Sequence, residues 1–285
     1  MSLRNHFLML GCCFSFLAGC HKDISSQQEA HPHYQLGKGW KGKDSWFYPY
    51  EQFSYHATGI ASRDKSSQTS IADDGEVWTS QEMVGSHQTL QLPSIVSVHN
   101  LQNGRIVRVK LIRRGPQTSN RIIGLSSKAA DLLGMGDDAP VEITEDEVAS
   151  RSIIDGLSGA PKLDVEAAPV GQVTAQDLDS KGVTVYGSNS PKVLQHTKGL
   201  GNLPLTWTQG SIESYRLYLL LGKFSTQGTA EQVALRCNGN VVREMDMGGL
   251  NWSVKSGPYG NISQADQALE QSRGCGVEGE RIIVE

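Results

Sequence analysis

The chain has 285 residues, 38% of them hydrophobic, with 26 basic and 30 acidic residues and a net charge of −4. Its length is about twice that of a typical domain, so two folded units with a linker are expected. The near balance of charge leaves no basic stripe of the kind duplex nucleic acid requires, which excludes a nucleic-acid partner from the reading.

The first twenty residues carry the first local signal. Arg4 supplies a positive start, residues 7–16 are largely apolar, and Leu17-Ala18-Gly19-Cys20 follows. An apolar stretch this short does not span a bilayer core of roughly 30 Å. It reads as a signal peptide over residues 1–19. The Leu-Ala-Gly-Cys ending resembles a bacterial lipobox, which implies that Cys20 is lipidated and becomes the mature N-terminus, held to a membrane by its acyl chains. His21 follows in place of the inner-membrane retention Asp, so the resemblance implies the periplasmic side of the outer membrane.

Residues 20–55 read as a polar tether followed by an extension rich in aromatics, among them Tyr34, Trp46, Phe47, Tyr48 and Tyr50. His31 and His33 lack further ligands at useful spacing and are read as tether or packing residues. No metal and no cofactor is expected.

Residues 56–147 alternate short β-type runs with turn residues. Residues 95–99 and 106–111 alternate apolar and polar positions in the manner of strands, and Asn103-Gly104 between them is a hairpin signal. One helix stands out: Ser126 or Ser127 caps it, Ala129, Ala130, Leu132 and Leu133 form its apolar face, and Gly134 ends it. Many short strands around one helix predict a compact β-barrel. Residues 148–210 carry weak periodicity and proline breaks, and are read as a linker with one ordered segment near residues 182–186.

Residues 211–285 read strand, helix, strand, strand, helix, strand, an antiparallel sheet with two helices on one face. In that order the helices run oppositely. Cys237 and Cys275, each near a helix C-terminus, are then expected at opposite ends of the unit. A bridge needs Cα atoms within about 7 Å, so none is expected.

Several fragments then combine. Gly59-Ile60-Ala61-Ser62, Gly75-Glu76, Ser86-His87-Gln88-Thr89-Leu90, Asn103-Gly104-Arg105, Arg114-Gly115-Pro116 and Arg121-Ile122-Ile123-Gly124-Leu125-Ser126 resemble the rare lipoprotein A family of septal lytic transglycosylases. The tail, with Leu221-Gly222-Lys223-Phe224 and Ser256-Gly257-Pro258-Tyr259, resembles a SPOR domain. The fold class implied is mainly β plus α+β: a six-stranded double-psi β-barrel over residues 56–147, then a βαββαβ SPOR domain over residues 211–285. The implied substrate is denuded peptidoglycan glycan, cut to 1,6-anhydro ends, with division-site proteins as further partners.

Carried over position by position, the resemblance makes Glu76 and His87 the catalytic candidates. The family pattern is broken in four places, one of them the Ala of its Ala-His-x-Thr-Leu, which is Ser86 here. Its catalytic Asp is Arg113, the Asp of Ile-Asp-Leu-Ser is Gly124, and the Trp-Tyr-Gly after Ala-Ser is Arg63-Asp64-Lys65. In the tail, Tyr218, Trp252 and Lys255 are candidate glycan contacts, since aromatic faces pack on sugar rings and Lys donates hydrogen bonds.

Lytic transglycosylation needs a carboxyl group that holds its proton near neutrality. An arginine cannot donate usefully, and within about 4–6 Å of Glu76 it would hold that carboxyl ionised. Arg113 therefore has two readings, a cation beside Glu76 or a surface ion pair. Glu76 in an ordinary turn and His87 as a satisfied strand-end residue also stay open. Three functions follow: an active transglycosylase, a catalytically impaired peptidoglycan-binding lipoprotein, or a structural envelope protein.

Overall fold

A computed structural model describes residues 29–161, 202–212, 214–246, 249–277 and 279–285. The expected signal peptide, the lipidation site Cys20 and the ordered segment near residues 182–186 lie outside the described residues.

The first unit begins with a hairpin, β1 (Trp40–Lys41) and β2 (Trp46–Phe47). Then come β3 (His56–Arg63), a small ladder of β4 (Ser70–Ile71) and β5 (Val77–Trp78), β6 (Val84–His87), β7 (Ser94–Asn100), β8 (Arg105–Arg114) and β9 (Ile123–Leu125). Helix α1 (Ser127–Leu133), strand β10 (Asp138–Glu145) and helix α2 (Glu147–Ile154) complete it. Six strands close on themselves: β3 pairs with β10, β10 with β7, β7 with β8, β8 with β6, β6 with β9, and β9 with β3. The β3–β9 and β6–β8 pairs are parallel and the others antiparallel. This is the expected six-stranded barrel, and its closure leaves the first residues of β8 open on one side to take a further strand.

The local signals act as the sequence predicts. Gly104 takes φ +74° in the turn between β7 and β8. The Ser126 hydroxyl caps α1 by accepting from the Ala129 N–H at 3.2 Å, and Gly134 ends the helix with φ +68°. Val96, Val98, Val109, Leu111, Ile123, Leu125, Val141 and Ile143 fill the barrel interior against Ala129, Ala130 and Leu133. Truncating one such large aliphatic to Ala typically costs about 2–5 kcal/mol.

The linker expected from residue 148 does not begin there. Helix α2 occupies its first residues, with Asp146 as N-cap and an Arg151–Glu147 ion pair at 2.8 Å. Ile153 and Ile154 enter the barrel core, so burial rather than sequence periodicity holds this helix in place. Leu203 joins the same core, and β11 (Trp207–Gln209) pairs with β8 through Trp207↔Val107. The N-terminal extension is likewise packed: Tyr34, Phe53 and Tyr55 lie against the barrel core.

The second unit runs β12 (Leu217–Phe224), α3 (Gln227–Cys237), β13 (Asn240–Asp246), β14 (Gly249–Tyr259), α4 (Ile262–Ser272), a 3₁₀ turn (Arg273–Cys275) and β15 (Arg281–Val284). Its antiparallel sheet has the order β13-β14-β12-β15, which realises the βαββαβ arrangement. Leu217, Leu219, Leu221 and Val254 meet Ala230, Val233, Ala265 and Leu269 in a separate core.

The expected separation of Cys237 and Cys275 is corrected. Both are free thiols, yet Cys275 lies near enough to Cys237 for that neighbour, after burial, to raise its pKa. Antiparallel helices separate their ends only if each spans the whole sheet. Here β15 meets β12 at Leu220, halfway along, and the 3₁₀ turn packs against α3.

The units are docked. The Thr58 hydroxyl donates to the Val284 carbonyl at 2.6 Å and accepts from the Val284 N–H at 3.1 Å. Ile60 of β3 is fully buried in the second unit's core. Arg121 reaches Asp138 of β10 at 2.8 Å and Asp266 of α4 at 2.8 Å.

Candidate active site

Glu76 follows a tight turn between β4 and β5. Gly75 takes φ +81°, and a Cβ there would lie 2.1 Å from the His31 carbonyl oxygen. Only glycine fits that position. The N-terminal extension crosses the turn, with the His31 N–H donating to the Gly75 carbonyl at 3.0 Å and the His33 N–H to that of Asp74 at 2.8 Å. His31 and His33 thus serve as packing residues that strap the turn.

The cation at Glu76 is Lys110. Its ammonium donates to Glu76 Oε2, and the Lys110 side chain is only 7% exposed. A buried ammonium without a carboxylate would be strongly unfavourable, so this pair holds β8 and the turn together. The same contact engages a Glu76 carboxylate oxygen within the protein.

Arg113 points elsewhere. Its guanidinium stacks 3.9 Å from the centroid of the Trp78 ring, donates to Ser70 Oγ at 2.7 Å and pairs with Asp64 at 3.4 Å. The first reading of Arg113, a cation acting on Glu76, is replaced by the second, an ion pair. Asp64 is itself one of the departures from the family pattern, so two departures answer each other. Arg63 beside it donates to Asp131 at 2.7 Å and to the carbonyls of Met135 and Gly136, tying β3 to the end of α1.

A second such pair lies at Gly124. A Cβ there would meet Ser86 Oγ at 2.4 Å. Where the family has Ala and Asp, this chain has Ser86 and Gly124, and the hydroxyl fills the space a side chain at 124 would need.

His87 is 2% exposed. Its Nδ1 accepts from the N–H groups of Thr89 at 3.2 Å and Leu90 at 3.1 Å, and its ring stands edge-on to Tyr55 with centroids 4.9 Å apart. Burial, assisted by the Arg114 charge, pushes its pKa down to about 3, so it stays neutral with its proton on Nε2. Among the described residues Glu76 and His87 do not hydrogen-bond each other, and His87 serves to shape the turn after β6. Arg114 supports that turn by donating to the carbonyls of Leu90 and, at 2.6 Å, Leu36.

The structure adds a carboxyl that the motifs passed over. Asp74 is fully buried, and its Oδ1 accepts from the Glu76 N–H at 3.0 Å. Its Oδ2 has no hydrogen-bond partner among the described residues. Burial pushes its pKa up to about 7, so it holds a proton close to neutrality. The adjacent Asp73-Asp74 pair before Gly75-Glu76 was the only signal in the sequence, and it reads equally well as a solvated turn.

In the second unit the three glycan candidates do not share a face. Lys255 lies opposite Leu220, on the face away from the helices, and Tyr218 is on the same side of β12. Trp252 alternates to the other face and packs against the helix-covered core. The Lys255 ammonium is held by Glu244 and Glu285. A cleft of about 610 Å³ opens between the units instead, bordered by Gln102, Tyr215, Tyr259 and Asn261.

Comparison with known proteins matches residues 41–144 to a family described as lytic transglycolase. The endolytic peptidoglycan transglycosylase RlpA of Pseudomonas aeruginosa is 28% identical over 219 residues, covering 70% of this chain and 62% of that protein. Its namesake in Yersinia pestis is 30% identical over 138 residues, 48% of this chain and 38% of the relative. That of Rickettsia felis is 34% identical over 105 residues, 35% of this chain and 46% of the relative. The matched stretch spans about three fifths of the length of the Pseudomonas protein.

Proposed function

From the membership of residues 41–144 in the lytic transglycolase family of double-psi barrels, we propose that this protein binds peptidoglycan glycan strands and has lost most of the family's cleaving chemistry. The observation that carries the proposal is Arg113. The position of the family's acid holds a guanidinium that is stacked on Trp78 and paired with Asp64.

Cleavage with 1,6-anhydro formation has a defined proton balance. An acid protonates the glycosidic oxygen as the C1–O bond breaks, and the sugar's own 6-hydroxyl then closes on C1, returning a proton to the same group. One carboxyl that cycles suffices, unlike in hydrolysis with its paired carboxylates. Arg113 cannot cycle, Glu76 is engaged by Lys110, and His87 is neutral and enclosed. Asp74 holds a proton near neutrality, which favours a second reading in which it supports slow cleavage when the turn opens.

Under the proposal the chain is anchored through Cys20 at the outer membrane, and the βαββαβ unit is a SPOR-type second grip on denuded glycan at the septum. Processing at Cys20 is tested by mass spectrometry of the mature N-terminus and by release of the Cys20→Ser protein from membranes.

The function is tested with purified protein on denuded glycan strands, by cosedimentation and by mass analysis of the products. Binding without anhydro-ended fragments is expected. Arg113→Asp places a carboxyl beside Asp64 and Asp73, whose charges raise its pKa, and is expected to gain cleavage of about 10²-fold or more. Rapid release of anhydro ends by the unaltered protein refutes the loss of chemistry. If Asp74→Asn then removes that release, the second reading replaces the first. A protein that ignores sacculi refutes both.

A further inference from the structure

The hairpin of β1 and β2 has two unlike faces. Trp40 and Phe47 are cross-strand partners with ring centroids 4.7 Å apart, and Phe47 is buried. On the other face Trp46 is 57% and Tyr48 67% exposed, their rings stacked at 6.5 Å with 21° between planes. Lys41 is the cross-strand partner of Trp46 and so shares that face, and it is exposed. Burying the alternate aromatics would have been sufficient to hold the hairpin, so core packing does not account for the outer pair.

The hairpin is fixed beside the motif loops. The Trp40 indole N–H donates to the Gln88 carbonyl at 3.0 Å, and the Tyr50 N–H to that of Thr89 at 3.1 Å, immediately after His87. The Lys43 N–H donates to the Gln117 carbonyl at 2.7 Å, just past Arg114-Gly115-Pro116. Asp44, almost fully buried, accepts from the Ser119 N–H at 3.0 Å and is paired with Arg273 of the second unit. The Tyr48 ring rests on Gly39, where a Cβ would lie 2.9 Å from it. Both aromatic faces are thus set in place before any ligand arrives, which lowers the ordering cost of binding.

We propose that Trp46, Tyr48 and Lys41 form a glycan subsite that extends the barrel's binding surface along a peptidoglycan strand; this rests on the function proposed above. Sugar rings present flat C–H faces that pack on aromatic rings. A strand stripped of its stem peptides also exposes a free lactyl carboxylate on every second sugar, and Lys41 beside Trp46 is the complementary charge. That charge match selects denuded strands over neutral polysaccharide.

The test uses the full chain and two probes, denuded glycan strands and chitin oligosaccharides, which lack the lactyl carboxylate. Trp46→Ala with Tyr48→Ala is expected to weaken binding of both probes by on the order of tenfold, at an unchanged thermal midpoint because both side chains are exposed. Lys41→Ala is expected to weaken denuded strands alone. The tryptophan emission change on saturation with denuded strands is expected to disappear in Trp46→Phe, which locates the sugar directly. Wild-type affinity in the double variant, or an undiminished emission change in Trp46→Phe, overturns the subsite while leaving the function intact. Equal weakening of both probes by Lys41→Ala overturns the charge match. Failure of the unaltered protein to bind either probe overturns the function, and the subsite with it.

Discussion

Asp74→Asn isolates the buried carboxyl. The folded protein holds the Asp74 pKa up at about 7 against an ordinary value of 3.8, chiefly by burial. In that window the native state binds more protons than the unfolded chain, so the stability Asp74 contributes is full below pH 4 and is lost as pH rises through 7. Between pH 4.5 and 7.5 the two pKa values correspond to a loss of about 3 kcal/mol, an upper figure because the buried group can relax. Asparagine keeps the oxygen that accepts from the Glu76 N–H and cannot ionise. The variant is therefore expected to gain on the parent by up to about 3 kcal/mol between pH 4.5 and pH 7.5. Urea unfolding at both pH values measures this. Glu145, whose pKa burial also raises to about 7, acts in the same direction, and His87, lowered to about 3, acts oppositely as pH falls below 6.5. Both are common to the two proteins and cancel in the difference. Parallel pH profiles, with a gap that changes by less than about 0.5 kcal/mol between the two pH values, would refute a protonated Asp74.

Glu76→Ala leaves the Lys110 ammonium buried and unpaired, and is expected to cost about 3–5 kcal/mol in urea unfolding. Adding Lys110→Met is expected to recover most of that loss, and strictly additive effects would show the pair is not coupled. Gly124→Asp alone drives a side chain into Ser86 Oγ and is expected to lower the unfolding midpoint, with Ser86→Ala relieving it; equal stability of the single and double variants contradicts the contact. Burial and the neighbouring Cys237 hold the Cys275 thiol well above its ordinary pKa, so iodoacetamide is expected to alkylate it slowly at pH 8 and faster as pH rises. Modification of Cys275 at the rate of a free thiol at pH 8 contradicts this. Arg121→Ala removes the links to Asp138 and Asp266 and is expected to split a single calorimetric transition into two. One unchanged transition would show that the docking rests on Thr58 and Ile60 instead.

By itself the sequence determined those features whose causes lie within a few residues. The alternation in residues 95–99 and 106–111 specifies strands, Asn103-Gly104 specifies the turn between them, and Ser126 and Gly134 bound α1. Motif spacing pointed to the lytic transglycolase family that residues 41–144 match, and to the positions where they depart from its pattern. Partners were decided only by the fold. Glu76 meets Lys110, while Arg113 turns to Trp78 and Asp64 past a bulge in β8 that the pairs Gly85↔Leu111 and Ser86↔Arg113 mark, and such a bulge re-aims the side chains that follow it. Asp64 answers Arg113, and Ser86 answers Gly124, across tens of residues that only barrel closure brings together. Helix α2 and strand β11, unmarked by strong local pattern, are held by burial against the barrel and by pairing with β8. Local chemistry fixes which face a residue presents, and long-range packing chooses what that face touches.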